Sequence, residues 1–387
     1  MTTALSSKTY DYIIAGSGCA GLSLLYRILL EPELWDKNIL IIDQEIKSKD
    51  DRTWCFWEKS TDIFEQIVYH QWNALEFKSK FFYGDLNIEP YSYKMIRGLD
   101  FYNFVYQFAA AYTNVQFIHS KISSIRVVGD QVEVTTSEGI FKSVYVFNST
   151  RLFQPNIRSD QDSLFMHFKG ITIRNEAPVF NPDKGTLMDF NVKQHGGAAF
   201  MYMLPTSKHE ALIEYTLINR TVLKPEAYDE ALQRYIKENL RLNEVEIIRK
   251  ESGIIPMTKK KFPVHYRRRI INIGTAGGCV KASSGYAFQF IQKQTANIVA
   301  KLKKNQTPVI KCTFCDKKFN LYDNTFLEVL ISHRMRGDEL MSRIFKYNRG
   351  DKVFAFLGNE SKSLDEFKMM TSLPAKIFLP AILKEIF

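Results

Sequence analysis

The stretch that most restricts what this chain can become is residues 10–43. An apolar run, Tyr10-Asp11-Tyr12-Ile13-Ile14-Ala15, leads into Gly16-Ser17-Gly18-Cys19-Ala20-Gly21. A helical stretch over 22–30 follows, and a second apolar run, Asn38-Ile39-Leu40-Ile41-Ile42, ends on Asp43. Strand, glycine turn, helix and strand form the context in which a G-x-G-x-x-G carries meaning. Gly16 lets the chain turn tightly, Gly18 removes the side chain that would block a pyrophosphate, and Gly21 lets the helix lie close to the strand. The free N–H groups and positive dipole end of the helix then face the phosphates. Asp43 lies 22 residues past Gly21, where an acid hydrogen-bonds an adenosine ribose. The place of this unit near the head of the chain favours FAD over NAD.

With 387 residues the chain has room for two or three domains. A hydrophobic content of 45% against 24% charged residues belongs to a globular protein and excludes a disordered one. No apolar run reaches the ~18 residues of a spanning helix. The first nine residues are polar and lead straight into a strand, unlike a signal peptide, so an intracellular protein is expected. The net charge of +10, with clusters at Lys259-Lys260-Lys261 and Arg267-Arg268-Arg269, suits an anionic partner, either nucleic acid or lipid headgroups; a solvated face is the alternative. The five cysteines are scattered, which argues against a disulfide framework. Cys312-x-x-Cys315 has no second pair, so no metal site is expected.

Taken in order, the chain next shows Asp51-Arg52-Thr53-Trp54-Cys55-Phe56-Trp57-Glu58, either a buried anchor or a loop bordering a flavin or apolar cavity. Residues 77–93 alternate as short strands do. A helix is expected over 100–112, with Asp100 as its N-cap. Segments 115–118, 122–128, 131–136 and 140–147 read as strands joined by turns at Gly129-Asp130 and Glu138-Gly139. Residues 199–205 and 211–218 read as a hairpin of an antiparallel sheet, and 225–240 as an amphipathic helix.

Glu214 is the anomaly in that hairpin. Alternation sets Leu212, Glu214 and Thr216 on one face, and Ile213, Tyr215 and Leu217 on the other. Either the first face is solvated, with Leu212 oddly on it, or it lines a cavity in which an acid stands among apolar neighbours. Further on, Ile270-Ile271-Asn272-Ile273 runs into Gly274-Thr275-Ala276-Gly277-Gly278, a second flavin signature by position, with Thr275 where many flavoproteins carry an acid. The remainder is mostly helical. Its end carries an apolar stripe, Phe378, Leu379, Ile382, Leu383, Ile386 and Phe387, with Pro380 expected to kink or start the helix. The stripe packs either on its own domain or on a membrane.

Together these stretches resemble the lycopene cyclase family of carotenoid flavoproteins. The resemblance is carried by Gly16 to Gly21 with Asp43, by Arg52-Thr53-Trp54-Cys55-Phe56-Trp57, and by Ile213-Glu214-Tyr215-Thr216, similar to the family's Ile-Glu-acid-Thr motif. It extends to Ser252-Gly253-Ile254-Ile255-Pro256-Met257 and to Gly274-Thr275-Ala276-Gly277 with Ser284-Gly285-Tyr286. Tyr215 departs from the pattern, standing where relatives carry a second acid.

The resemblance implies a mixed α/β fold: a Rossmann-type FAD-binding domain (1–75, 95–155 and 265–305), an antiparallel-sheet substrate domain (76–94 and 156–264) and a helical C-terminal region (306–387). It implies redox-neutral, acid-catalysed closure of the ψ-ends of lycopene to β-ionone rings, with Glu214 as the acid. Gly16, Gly18, Gly21, Asp43, Gly274, Thr275, Ala276 and Gly277 would hold FAD, active when reduced by NAD(P)H. Trp54, Trp57, Tyr215 and Tyr286 would border the substrate. The partners it implies are linear carotenoids and the inner face of a membrane, held peripherally from the cytoplasm, and not nucleic acid. An FAD-dependent monooxygenase or reductase acting on a hydrophobic substrate is the alternative.

Overall fold

The computed structural model describes residues 9–157 and 162–386. The polar residues 1–8 and Phe387 of the apolar stripe lie outside that range. Three sheets and a set of helices make up a mixed α/β architecture, as the sequence pattern implies.

The first sheet is built around Thr9–Ala15, whose Ile13, Ile14 and Ala15 are wholly buried. Such two-sided burial is what a continuous apolar run in a parallel sheet reflects. It pairs in parallel with Ile39–Asp43 on one side and Gly139–Asn148 on the other. Val115–His119 and Ile270–Asn272 extend the parallel order outward, and His265–Tyr266 closes one edge antiparallel. Helices Cys19–Leu29, Gly98–Ala109 and Phe288–Lys303 bury their apolar faces on one side, where Leu22, Phe101 and Ile298 meet Ile14 and Ile41. The hairpin Ile122–Val128 and Gln131–Thr136 covers the other, with Val132 and Val134 against Ile13 and Leu40.

The second sheet has seven strands in the order Glu246–Thr258, Ser163–Arg174, Glu210–Asn219, Ala198–Pro205, Lys184–Asp189, Ala74–Lys78 and Tyr83–Leu86. Neighbours are antiparallel except Lys184–Asp189 and Ala74–Lys78. Ile213, Tyr215 and Leu217 project to the face covered by helix Pro225–Arg234. The opposite face carries Met166, Phe200 and Leu212 into a core shared with the C-terminal helices. A three-stranded sheet, in the order Thr53–Glu58, Ser92–Arg97 and His70–Trp72, is interleaved in sequence with Ala74–Lys78 and Tyr83–Leu86 of the second sheet.

Several boundaries differ from those the sequence suggests. The first helix starts at Cys19, so Ala20 and Gly21 are already helical. The second runs over Gly98–Ala109 with Arg97 at its N-cap. Asp100 is no cap, because its carboxylate accepts from the Arg97 guanidinium at 2.6 and 3.1 Å. The helix expected over 225–240 turns from α to π geometry at Tyr235–Asn239. Pro380 neither starts nor ends the last helix, Ala375–Ile386, but sits inside it.

Helices Phe314–Ile331, Gly337–Tyr347, Gly350–Leu357, Ser363–Thr371 and Ala375–Ile386 form the C-terminal region. It is tied to the preceding loop by Lys281, whose ammonium, wholly buried, donates to Asp323 at 2.7 Å and Asn359 at 2.8 Å.

Candidate active site

The glycine turn is shaped by what its residues leave out. Gly16 has φ +102°, and a Cβ on Gly21 would lie 2.0 Å from the Gly16 carbonyl oxygen, so both positions demand glycine. A Cβ on Gly18 would meet nothing within 4 Å. It would point into open space at the start of a helix whose first N–H groups no side chain caps. Asp43 ends the second strand beside this turn. Its Oδ2 accepts from the Ser17 N–H at 2.7 Å and the Ser17 hydroxyl at 2.9 Å. On the same side of the domain, Gly274–Gly277 forms a 3-10 turn packed so closely on the first helix that a Cβ at Gly274 would sit 2.5 Å from that of Ala20. Gln294 holds this turn by accepting from the Gly274 N–H at 2.8 Å. Thr275 is exposed on it and lines a cavity.

That cavity, of ≈ 250 Å³, lies between the seven-stranded sheet on one side and the three-stranded sheet with the 275–288 segment on the other. The seven-stranded sheet supplies Met166, Phe168, Leu212, Glu214 and Glu251. Facing walls come from Trp54 and Tyr93 on the small sheet and from Tyr286 and Phe288 ahead of and within helix Phe288–Lys303.

Glu214 reaches the cavity because strand alternation puts it on the face of Leu212 and opposite that of Tyr215. Its Oε1 accepts from the Thr216 hydroxyl at 2.8 Å. Burial pushes its carboxyl well above the usual range, the Glu251 carboxylate pushes it the same way, and Thr216 and Arg249 only partly oppose this.

Glu251 was not singled out by sequence reasoning. Gly170 pairs with Glu214 on one neighbouring strand and with Glu251 on the other, so both acids flank it on one face. A Cβ at Gly170 would lie 3.3 Å from Glu251 Oε1 and 3.4 Å from Glu214 Oε2. Arg249 donates to Asp50 at 3.0 Å and to the Thr53 hydroxyl at 2.7 Å, and its Nη2 stands 3.7 Å from Glu251 Oε1. That oxygen is buried and accepts no hydrogen bond. Burial raises the Glu251 carboxyl too, with Arg249 the main opposing influence.

Three tyrosine hydroxyls meet across the cavity, Tyr202 from the strand paired with Glu214 and Tyr93 and Tyr286 from the facing walls. Tyr286 lies 3.1 Å from Tyr93 and 2.9 Å from Tyr202, hydroxyl to hydroxyl. Burial pushes all three upward, so they stay neutral. Sequence reasoning missed Tyr202, Tyr93 and Arg249; a polar tip on an otherwise apolar strand is the signal Tyr202 carries, and Tyr93 and Arg249 carry no local one.

Of the residues expected around the substrate, Trp54 and Tyr286 line the cavity. Trp57 does not: it is buried behind Tyr286, stacked on Phe354 at 4.7 Å and donating from Nε1 to the Phe354 carbonyl. Tyr215 is likewise excluded, because its strand turns it to the opposite face. There its hydroxyl donates to the Lys193 carbonyl at 2.9 Å.

The family model described as lycopene cyclase protein matches residues 11–379, nearly the whole chain. No curated protein sequence matches. Among solved structures, the chain is similar to a geranylgeranyl bacteriochlorophyll reductase-like protein from Thermoplasma acidophilum, at 12% identity over 98% of each chain with a TM-score of 0.61. It is similar to a flavoprotein/dehydrogenase from Cytophaga hutchinsonii at 12% identity, over 95% of this chain and 100% of that one, TM-score 0.62. A flavin-dependent brominase matches at 12% identity over 94% and 98%, TM-score 0.63. At these identities the likeness is one of fold.

Proposed function

The chain belongs to the lycopene cyclase protein family, and from that membership we propose that it is a lycopene β-cyclase, closing the ψ-ends of lycopene to β-ionone rings in γ- or β-carotene without net oxidation. The observation that carries the reading is Glu214, a carboxyl group held protonated by its surroundings in a cavity with apolar and aromatic walls. An alkene is a poor base, so it takes a proton only from a neutral acid shielded from water. A free glutamic acid, with a pKa of about 4.3, is charged at neutral pH. Burial reverses this for Glu214.

Glu214 gives its proton to the terminal double bond, and the neighbouring double bond closes the ring on the resulting cation. Tyr93, Tyr202 and Tyr286, neutral and linked hydroxyl to hydroxyl, and Trp54 bring aromatic rings to this region that can stabilise a cation. Phe168, Leu212 and Phe288 exclude water.

The open space at Gly18, the uncapped helix start and the Gly274–Gly277 turn fit FAD. Gly16, Gly18, Gly21 and Asp43 would hold its ADP portion, and Gly274, Thr275, Ala276 and Gly277 would border its ring system. Bound there and reduced by NAD(P)H, FAD would supply negative charge to stabilise the cation.

Lycopene resides in lipid, and peripheral attachment from the cytoplasmic side is part of this reading. Among the described residues no helix is long and apolar enough to cross a membrane. Leu364 and Phe367 on Ser363–Thr371, and Leu379, Leu383 and Ile386 on Ala375–Ile386, are instead exposed, beside Lys368 and Lys376.

Expression in a lycopene-accumulating host, followed by pigment chromatography, tests the reading. The native chain should yield cyclic carotenes, and Glu214→Gln should retain flavin while losing at least ~10²-fold in cyclisation. Near-normal turnover by that variant removes Glu214 from the chemistry. The structural neighbours named as a reductase-like protein and a flavin-dependent brominase favour a second reading, an FAD-dependent monooxygenase or reductase. It requires oxygen or reducing equivalents to be consumed with each product, whereas cyclisation consumes none.

A further inference from the structure

We propose that Glu251 is the base that completes the cyclisation, working with Glu214 as a donor and acceptor pair across Gly170. The proposal rests on the cyclase reading and goes beyond it, to the group that takes the last proton.

The geometry begins in the sheet. A sequence neighbour of Glu214 cannot share its face, and Tyr215 indeed points away. A second acid can reach the same cavity only from another strand, and the register supplies one: Gly170 is opposite both Glu214 and Glu251. Both carboxylates approach the empty Cβ position of Gly170, at 3.4 and 3.3 Å, so their oxygens lie no more than about 7 Å apart. Two buried like charges this close repel, and the pair holds one proton. The neighbours make it unsymmetrical. Arg249 stands 3.7 Å from Glu251, while Glu214 has the neutral Thr216 hydroxyl. The proton therefore rests on Glu214 and the charge on Glu251. Glu251 Oε1, buried at the cavity wall and without a hydrogen-bond partner, is free to accept.

Two such groups suit the chemistry, because the carbon that loses a proton is not the carbon that gained one and a base already charged when the cation forms can take the proton at once. The Glu214 O–H bond breaks as a C–H bond forms at the terminal alkene. The electron pair of the neighbouring double bond forms the ring bond. A ring C–H bond then breaks, its pair becoming the ring double bond and its proton passing to the Glu251 carboxylate. Substrate and product are isomers. The enzyme is left with Glu251 protonated and Glu214 charged, and transfer of one proton past Gly170 restores the starting state.

The test compares native protein, Glu251→Gln and Glu251→Asp, as reduced flavoproteins with lycopene. The ring double bond of the products is located by NMR. The native chain should give a single ring type. Glu251→Gln should keep its flavin spectrum, turn over at least ~10²-fold more slowly, and yield residual rings whose double bond reflects proton loss from other carbons. Glu251→Asp should restore the single ring type at reduced rate. A Gln variant with native rate and ring type overturns the proposal. If the native chain cyclises nothing, it is the cyclase reading that has failed. A second readout needs no turnover: infrared titration of the buried protonated carboxyl band. Glu214 faces Glu251, Arg249, Cys55, Tyr202 and Tyr286, and among these Glu251 is the group that raises it most. The titration midpoint should therefore fall in Glu251→Gln, and an unmoved midpoint overturns the pairing even where activity is lost.

Discussion

Replacing Gly18 and Gly21 by alanine, one at a time, separates the folding role of the glycine turn from its binding role. At Gly21 the added carbon would stand 2.0 Å from the Gly16 carbonyl oxygen and 3.0 Å from Ile14 Cγ2. An ordinary carbon to oxygen contact is above 3 Å, so the first helix would have to retreat by more than about 1 Å from the strand it packs on. Close-packed interiors do not yield so far without loss, and the expected cost is about 3 kcal/mol or more. Gly18 is different. Its backbone, φ −79° and ψ −170°, is open to any residue, and its Cβ would touch nothing within 4 Å. The free protein should lose only ~1 kcal/mol, the difference between glycine and alanine at an N-cap. That same space is where a pyrophosphate would approach the helix N–H groups. Gly18→Ala should therefore weaken FAD binding ~100-fold, equivalent to about 2.7 kcal/mol. Denaturant unfolding of the flavin-free proteins measures the first quantity, and flavin fluorescence titration the second. The reasoning is refuted if Gly18→Ala binds FAD as the native chain does, or if it unfolds as readily as Gly21→Ala.

The raised carboxyl of Glu214 also makes stability depend on pH. Its folded pKa lies above the unfolded value, so its contribution is complete below about pH 4.3 and is lost as pH rises through the folded value, at about 1.4 kcal/mol for each pH unit between the two. Urea midpoints should fall less steeply toward alkaline pH in Glu214→Gln than in the native chain; parallel curves would show that the group is not buried protonated. For the proposed membrane attachment, Leu379→Ser with Leu383→Ser should leave the fold intact, because these side chains are 60% and 51% exposed. The pair should reduce flotation with anionic liposomes, and high salt should weaken the native binding further. Equal flotation would separate these helices from the lipid.

What could be read from the chain alone divides by the range of the interaction that decides it. The glycine unit was legible because every part of it lies within residues 10–43 and each part has a local period or a steric demand. Glu214 was legible as an oddity because strand alternation is also local. The same alternation already placed Tyr215 on the far face, and only the contiguity of a motif suggested otherwise. Trp54 and Trp57 have indistinguishable surroundings in sequence. What parts them is Phe354, nearly 300 positions away, which takes Trp57 into the core and leaves Trp54 on the cavity. Glu251 lay furthest from reach. It is 37 residues from Glu214 and meets it only because a third strand, Ser163–Arg174, pairs with both and carries a glycine at the crossing. Any side chain at Gly170 would stand between the two carboxylates. A residue with no functional group thereby decides whether two acids behave as separate buried groups or as one proton-sharing pair. That is a property of register, and no motif confined to one strand can carry it.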